Sequence, residues 1–264
     1  MSLLEAAILG LVQGLTEFLP VSSSGHLVIG QAMLGVDPPG VTFEVVLHLA
    51  TVCAVLWVYR ERVAELMRGV VNRDRGALHY TGLILLASVP AGLLGVLGRD
   101  MFERAFGNPV LAAAMLLVTG MLVWTVRVTG PRADRERPDA ARSLWIGCAQ
   151  ALAIMPGISR SGATVAVGSW LGIEVVRLAE FSFLLSVPAI LGAGLLQLDG
   201  AGLVSGLGFA PLATGFAVAA VSGVVAIHLF VRMLRDRTFH RFAYYCWGVG
   251  AAYLVGAVFM AAWR

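Results

Sequence analysis

The sequence predicts an all-α integral membrane protein with an inverted-topology repeat: six transmembrane helices plus two re-entrant helical hairpins. Three observations predict it. Apolar residues make up 58% of the 264 and charged residues only 13%, against about 45–50% and about 25% in a soluble domain. Two of the apolar stretches are broken near their centres by proline and polar residues. The arginines gather in three connecting segments, and this arrangement puts all three on one side of the membrane.

A crossing helix needs about 20 mainly apolar residues. Six stretches qualify, at 42–59, 80–97, 109–126, 178–198, 209–231 and 242–262. The regions 3–34 and 143–172 differ. Pro20 with Ser22, Ser23 and Ser24 interrupts the first, and Pro156-Gly157 with Ser159, Arg160 and Ser161 interrupts the second. Proline disrupts a helix interior, and each half is too short to cross. Each region therefore reads as two half-helices that enter and leave by one face. The start, MSLLEAAILG, has no positive n-region and carries Glu5, so it reads as the first arm of a hairpin rather than a secretory signal.

All 19 basic residues are Arg. Segment 60–75 holds Arg60, Arg62, Arg68, Arg73 and Arg75; 127–142 holds Arg127, Arg132, Arg135, Arg137 and Arg142; 232–241 holds Arg232, Arg235, Arg237 and Arg241. Segment 98–107 balances Arg99 and Arg104 with Asp100 and Glu103, and 199–208 has no basic residue. The positive-inside rule makes the three basic segments cytoplasmic and both termini external. Turning either hairpin into a full span would separate them. A net charge of +3 is too small to point to nucleic acid as a partner. Cys53, Cys148 and Cys246 lie in apolar runs without metal-ligand spacing and read as free thiols.

The two broken regions resemble each other. Aligned without gaps, Gln13 meets Gln150, Leu15 meets Leu152, Ser22 meets Ser159, Ser24 meets Ser161 and Gly25 meets Gly162. The chain then reads as one membrane domain, 1–264, with repeat 1 at about 1–126 and repeat 2 at about 143–262. Each repeat is a hairpin followed by three spans, and an odd number of spans inverts the second.

Irregular backbone at membrane depth is tolerated inside protein or along a wet cavity, and an ionisable group there marks a site. Ser22 and Ser159 have the position of N-caps for the second arm of each hairpin. Both arms would then point free N–H groups and positive dipole ends into the centre, which suits an anion. Arg160 adds a guanidinium fit for bidentate phosphate contact, and Ser23, Ser24, Ser161 and Thr164 add hydroxyls. Gln13 and Glu17 share a helix face. Glu17 can serve as a base or hold a divalent cation with Gln13. His26 follows Ser23 by three residues, within side-chain reach. A hydroxyl, an imidazole and a carboxylate beside an anion cradle suit phosphoryl transfer. His48 and His228 read as hydrogen-bonded packing residues.

QGLTEFLPVSSSGH at 13–26 and PGISRSGAT at 156–164 resemble the two signature motifs of the undecaprenyl-diphosphate phosphatase family, also called bacitracin-resistance proteins. FEVVLHLAT at 43–51 and EFSFLLSVP at 180–188 resemble its flanking segments, and the likeness runs in order through nearly the whole chain. The resemblance implies a bacterial inner-membrane enzyme that recycles the lipid carrier of peptidoglycan synthesis. It would hydrolyse undecaprenyl diphosphate to the monophosphate and phosphate, in a site open to the periplasm and dependent on Mg²⁺ or Ca²⁺. By motif position it puts the essential acid on Glu17, the nucleophilic serine on Ser23, the histidine on His26 and the phosphate-binding arginine on Arg160. Ser22, Ser159, Ser161 and Thr164 match further motif residues. The family often has a second Glu where this chain has Gln13. The expected partners are the polyprenyl diphosphate lipid and the bilayer, with a homodimer left open. A transporter or flippase of a phosphorylated lipid is the alternative that inverted repeats suggest. A type-2 phosphatidic acid phosphatase is disfavoured, because that family's first motif needs Lys and this chain has none.

Overall fold

The computed structural model describes residues 1–34, 41–198 and 208–262. Twelve α-helices form among them. The first hairpin is α1 (Leu3–Phe18) and α2 (Ser23–Leu34); the second is α8 (Ala140–Leu152) and α9 (Arg160–Trp170). Their arms have 16, 12, 13 and 11 residues, about 16–24 Å at 1.5 Å per residue, against a hydrocarbon core of about 30 Å. The full-length helices are α3 (Val41–Val58), α5 (Arg75–Leu97), α7 (Pro109–Thr129), α10 (Val175–Leu198), α11 (Phe209–Arg235) and α12 (Phe242–Ala262). Five of them are long and apolar enough to cross alone. The sixth, α3, carries Glu44, His48 and Thr51 and runs into the next helix, α4 (Arg60–Val71), which turns away at 81°. The basic-poor segment 199–208 lies outside the described residues except for Gly208.

Two helices form where the sequence suggested loops. In α4 the apolar Val63, Leu66, Met67, Val70 and Val71 recur at helical spacing between arginines, the pattern of a helix lying along an interface. In α6 (Arg99–Phe106) Phe102 and Ala105 are buried and the charges face out.

Each hairpin breaks for a local reason. Leu19, before Pro20, is extended at φ −64° and ψ 146°, the region that a following proline favours. In the second break Gly157 has φ +95°, and a Cβ there would run into the Ala112 carbonyl. Only glycine fits both conditions.

The basic connections meet on one face. Arg62 of α4, Glu136 and Arg137 of the α7–α8 connection and Arg177 of α10 line one cavity of about 230 Å³. Trp124 near the end of α7 packs edge-on against His240 of the α11–α12 turn. The halves pack reciprocally: α1 lies along α11 and α8 along α5; α3 meets α11 as α10 meets α5; α7 pairs with α12. Gly10 makes the first of these contacts so close that a Cβ would sit 2.5 Å from the Gly215 carbonyl oxygen. Gly147, in the register that pairs Gln13 with Gln150, would strike the Ala87 carbonyl in the same way.

That register also exposes a difference. Gln13 faces Glu17, but the position corresponding to Glu17 in the second hairpin is Ile154. Gln150 is only 3% exposed and its amide has no partner among the described residues; nor does the Ser143 hydroxyl, two turns away on α8. An unpaired buried amide destabilises by about 1–3 kcal/mol. Gln150→Met is therefore expected to raise the melting temperature of the detergent-purified protein by several degrees, with activity unchanged. A lower melting temperature would mean that Gln150 is satisfied by a buried water.

Candidate active site

The two breaks meet. The Ser22 hydroxyl accepts the N–H of Gly25 at 3.2 Å, which caps α2, and also accepts the N–H of Gly157 at 3.2 Å from the other hairpin. Ser22 has φ +64°, uncommon for a residue with a side chain, and this turn gives its hydroxyl both donors. Ser159 caps α9 by accepting the Gly162 N–H at 3.2 Å. Thr119 of α7 pins the second break: its hydroxyl donates to the Gly157 carbonyl at 2.7 Å and accepts the Ser159 N–H at 2.9 Å.

Glu17 lies at the centre, one residue before the end of α1 and 10% exposed. Arg160, at the first position of α9, donates to Glu17 Oε1 at 2.8 Å. Ser23, at the first position of α2, donates to Glu17 Oε2 at 2.9 Å. The Gln13 amide donates to the same oxygen at 3.2 Å. Two helix N-termini and one helix C-terminus thus converge on a single carboxylate. Arg160 also reaches the Ser182 carbonyl of α10 at 3.4 Å. A guanidinium has five N–H donors, so these two bonds leave others for a ligand.

The remaining predicted residues take different places. Ser24 bonds the Ser22 hydroxyl at 3.3 Å, and Ser161 bonds that of Ser159 at 3.2 Å. Ser161 and Thr164 are fully buried. The Thr164 hydroxyl donates to the Arg160 carbonyl at 2.8 Å and accepts from Ser182 at 2.6 Å, tying α10 to α9. Ser22, Ser159, Ser161 and Thr164 therefore shape the cradle from behind. His26 is not bonded to Ser23. Its Nδ1 meets the Ser22 carbonyl at 2.9 Å, so Nδ1 carries the proton there. Its Nε2 meets the Tyr245 hydroxyl at 2.9 Å, and the two rings stack at 9° with centroids 5.5 Å apart.

Four contributors were not placed in the site from the sequence: Thr119, Ser182, Tyr245 and His48, which reads there as a packing residue. His48 Nε2 lies 3.9 Å from Glu17 Oε2. His48 and Ser182 both sit inside the flanking segments FEVVLHLAT and EFSFLLSVP, so a signal for them existed. Thr119 and Tyr245 stand in apolar spans with nothing to mark them.

A divalent cation would meet two acceptors here, Glu17 Oε2 and His48 Nε2, while Gln13 turns its amide N–H rather than its carbonyl toward that oxygen. Among the described residues no group of three or more His, Cys, Asp or Glu side chains gathers as a metal cluster. The single carboxylate is already neutralised by Arg160. These residues fit a cation that arrives with a diphosphate, whose own charge supplies the rest of the shell.

The chain is 36% identical to an undecaprenyl-diphosphatase of Methanobrevibacter smithii, over 98% of this chain and 99% of the relative. It is 41% identical to one of Desulfosudis oleivorans, over 95% and 97%. It is also 41% identical to one of Rubrobacter xylanophilus, over 98% and 99%. The family model described as bacitracin resistance protein BacA matches residues 6–252, which takes in both hairpin breaks and every residue of the cradle, and the chain belongs to that family.

Proposed function

We propose that the protein is a multi-pass membrane phosphatase that hydrolyses undecaprenyl diphosphate to undecaprenyl phosphate and inorganic phosphate. One observation carries the chemistry: the Ser23 hydroxyl donates to a carboxylate whose other oxygen is held by Arg160. The bilayer keeps the prenyl tail while the head group enters the cradle. Arg160 and the N-termini of α2 and α9 hold the terminal phosphoryl group. Ser23 Oγ bonds to its phosphorus, the bond to the bridging oxygen breaks, and the serine proton passes to Glu17. Undecaprenyl phosphate leaves and takes that proton. Water then attacks the phosphoserine and gives a proton to Glu17. Glu17 returns it to Ser23 as phosphate departs. His26, held between the Ser22 carbonyl and Tyr245, fixes the turn that presents Ser23. A bound divalent cation would neutralise charge on the diphosphate. Transport of an anion requires no serine hydroxyl aimed at a carboxylate, so phosphate release by purified protein in detergent, without any gradient, tests the reading. Absence of release from undecaprenyl diphosphate, with the protein folded, would refute it.

The proposal extends to the inner membrane, with the site facing the periplasm. Its support is the clustering of the three Arg-rich connections on one face. The reciprocal packing of the two halves supports the inverted repeat. In a cysteine-free background, Asp134→Cys is expected to resist an impermeant external thiol reagent in intact cells, and Arg104→Cys to react. The opposite pattern would invert the orientation.

A further inference from the structure

His48 is placed like a metal ligand rather than a packing residue. Its Nδ1 lies 2.8 Å from the Glu44 carbonyl one turn back on α3. A carbonyl can only accept, so Nδ1 carries the hydrogen and a neutral ring leaves its lone pair on Nε2. That nitrogen faces Glu17 Oε2 at 3.9 Å. With the ring neutral, two acceptors face each other there, too far apart for a hydrogen bond. A cation resolves that juxtaposition. Bonds of about 2.1 Å place neighbouring ligands at about 3 Å from each other, a closure of about an ångström that side-chain rotation can supply.

Two further features fit. A metal-bound histidine almost always donates its other N–H to a carbonyl or carboxylate, which fixes the ring and its tautomer; the Glu44 carbonyl does this for His48. The His48 side chain is also 38% exposed where that of Glu17 is 10%, so of the two it is the more open to an incoming ion.

We infer that His48 supplies a nitrogen ligand to the cation of this site, beside Glu17, and shifts its preference from Mg²⁺ or Ca²⁺ toward first-row transition ions. Oxygen donors suit the hard cations, whereas imidazole favours the transition metals. Gln13 strengthens the shift, because an amide brings no charge to hold a hard ion. This inference rests on the cation-assisted phosphatase reading.

The test is pulsed electron paramagnetic resonance on the full chain, purified in detergent without a histidine tag, with Mn²⁺ and methylenediphosphonate. The wild type is expected to show ¹⁴N modulation from a directly bound imidazole. His48→Gln is expected to lose the modulation and to bind Mn²⁺ more weakly by at least the roughly tenfold that losing an outer-shell partner costs. Ca²⁺ binding should be unchanged. His228→Gln, which removes an exposed histidine of α11, is expected to keep the modulation. Bound Mn²⁺ without modulation, or modulation that survives His48→Gln, would overturn the assignment and leave the cation reading standing. No Mn²⁺ binding at all would overturn both.

Discussion

Arg160→Ala, purified in detergent, is expected to lose about 10³-fold or more of kcat/KM on undecaprenyl diphosphate, the scale on which an arginine at a transferring phosphoryl group acts. The same change is expected to lower stability. Glu17 and Arg160 are 10% and 14% exposed and bonded at 2.8 Å. Removing one partner of such a buried pair typically destabilises by about 3–5 kcal/mol, because the other charge is left uncompensated. Loss of activity in Arg160→Ala alone could therefore reflect unfolding. Arg160→Lys separates the effects. It keeps the charge beside Glu17, so it should melt closer to the wild type, but a point charge cannot replace the planar fork, so activity should stay low. Near-wild-type turnover in either variant would remove Arg160 from the site.

Ser23→Ala is expected to lower kcat by about 10³-fold or more with little change in KM, the pattern for a group needed only in the transition state. Stability should hardly move, because Glu17 keeps its bonds to Arg160 and Gln13. Rapid quenching of wild type with labelled substrate should trap a phosphoserine at Ser23. Substantial turnover in Ser23→Ala would instead make Ser23 a phosphate ligand and an activated water the attacking group.

The sequence made the scaffold legible because membrane physics leaves few options. Pro20 and Pro156-Gly157 are costly inside a spanning helix, so they announce the hairpins, and Ser22 and Ser159 announce the caps. Clustered arginines grouped the connections. Helix α4 was also readable, since its apolar residues recur with helical spacing, but its arginines disguised it as a loop. What brings His48 and Ser182 to Glu17 and Arg160 is the packing of α3 and α10 against the hairpins, which no local pattern encodes. Spacing alone made His26 a neighbour of Ser23. The ring instead meets the Ser22 carbonyl one turn back and the Tyr245 hydroxyl of α12. Nor did the matching motifs foretell that the repeats would divide the work. The first hairpin supplies Glu17 and Ser23. The second has Ile154 and Arg160 in their places, so the single carboxylate and the single guanidinium come from opposite halves.

That shared pair can be removed whole. Glu17→Gln with Arg160→Gln leaves no buried charge unpaired, so the double variant should insert and melt near the wild type while each single change destabilises. Inorganic phosphate released from undecaprenyl diphosphate, measured side by side for the wild type and this folded double variant, addresses the central claim most directly. The account predicts steady release by the wild type and none above background by the double variant. Comparable release by the two proteins would contradict it.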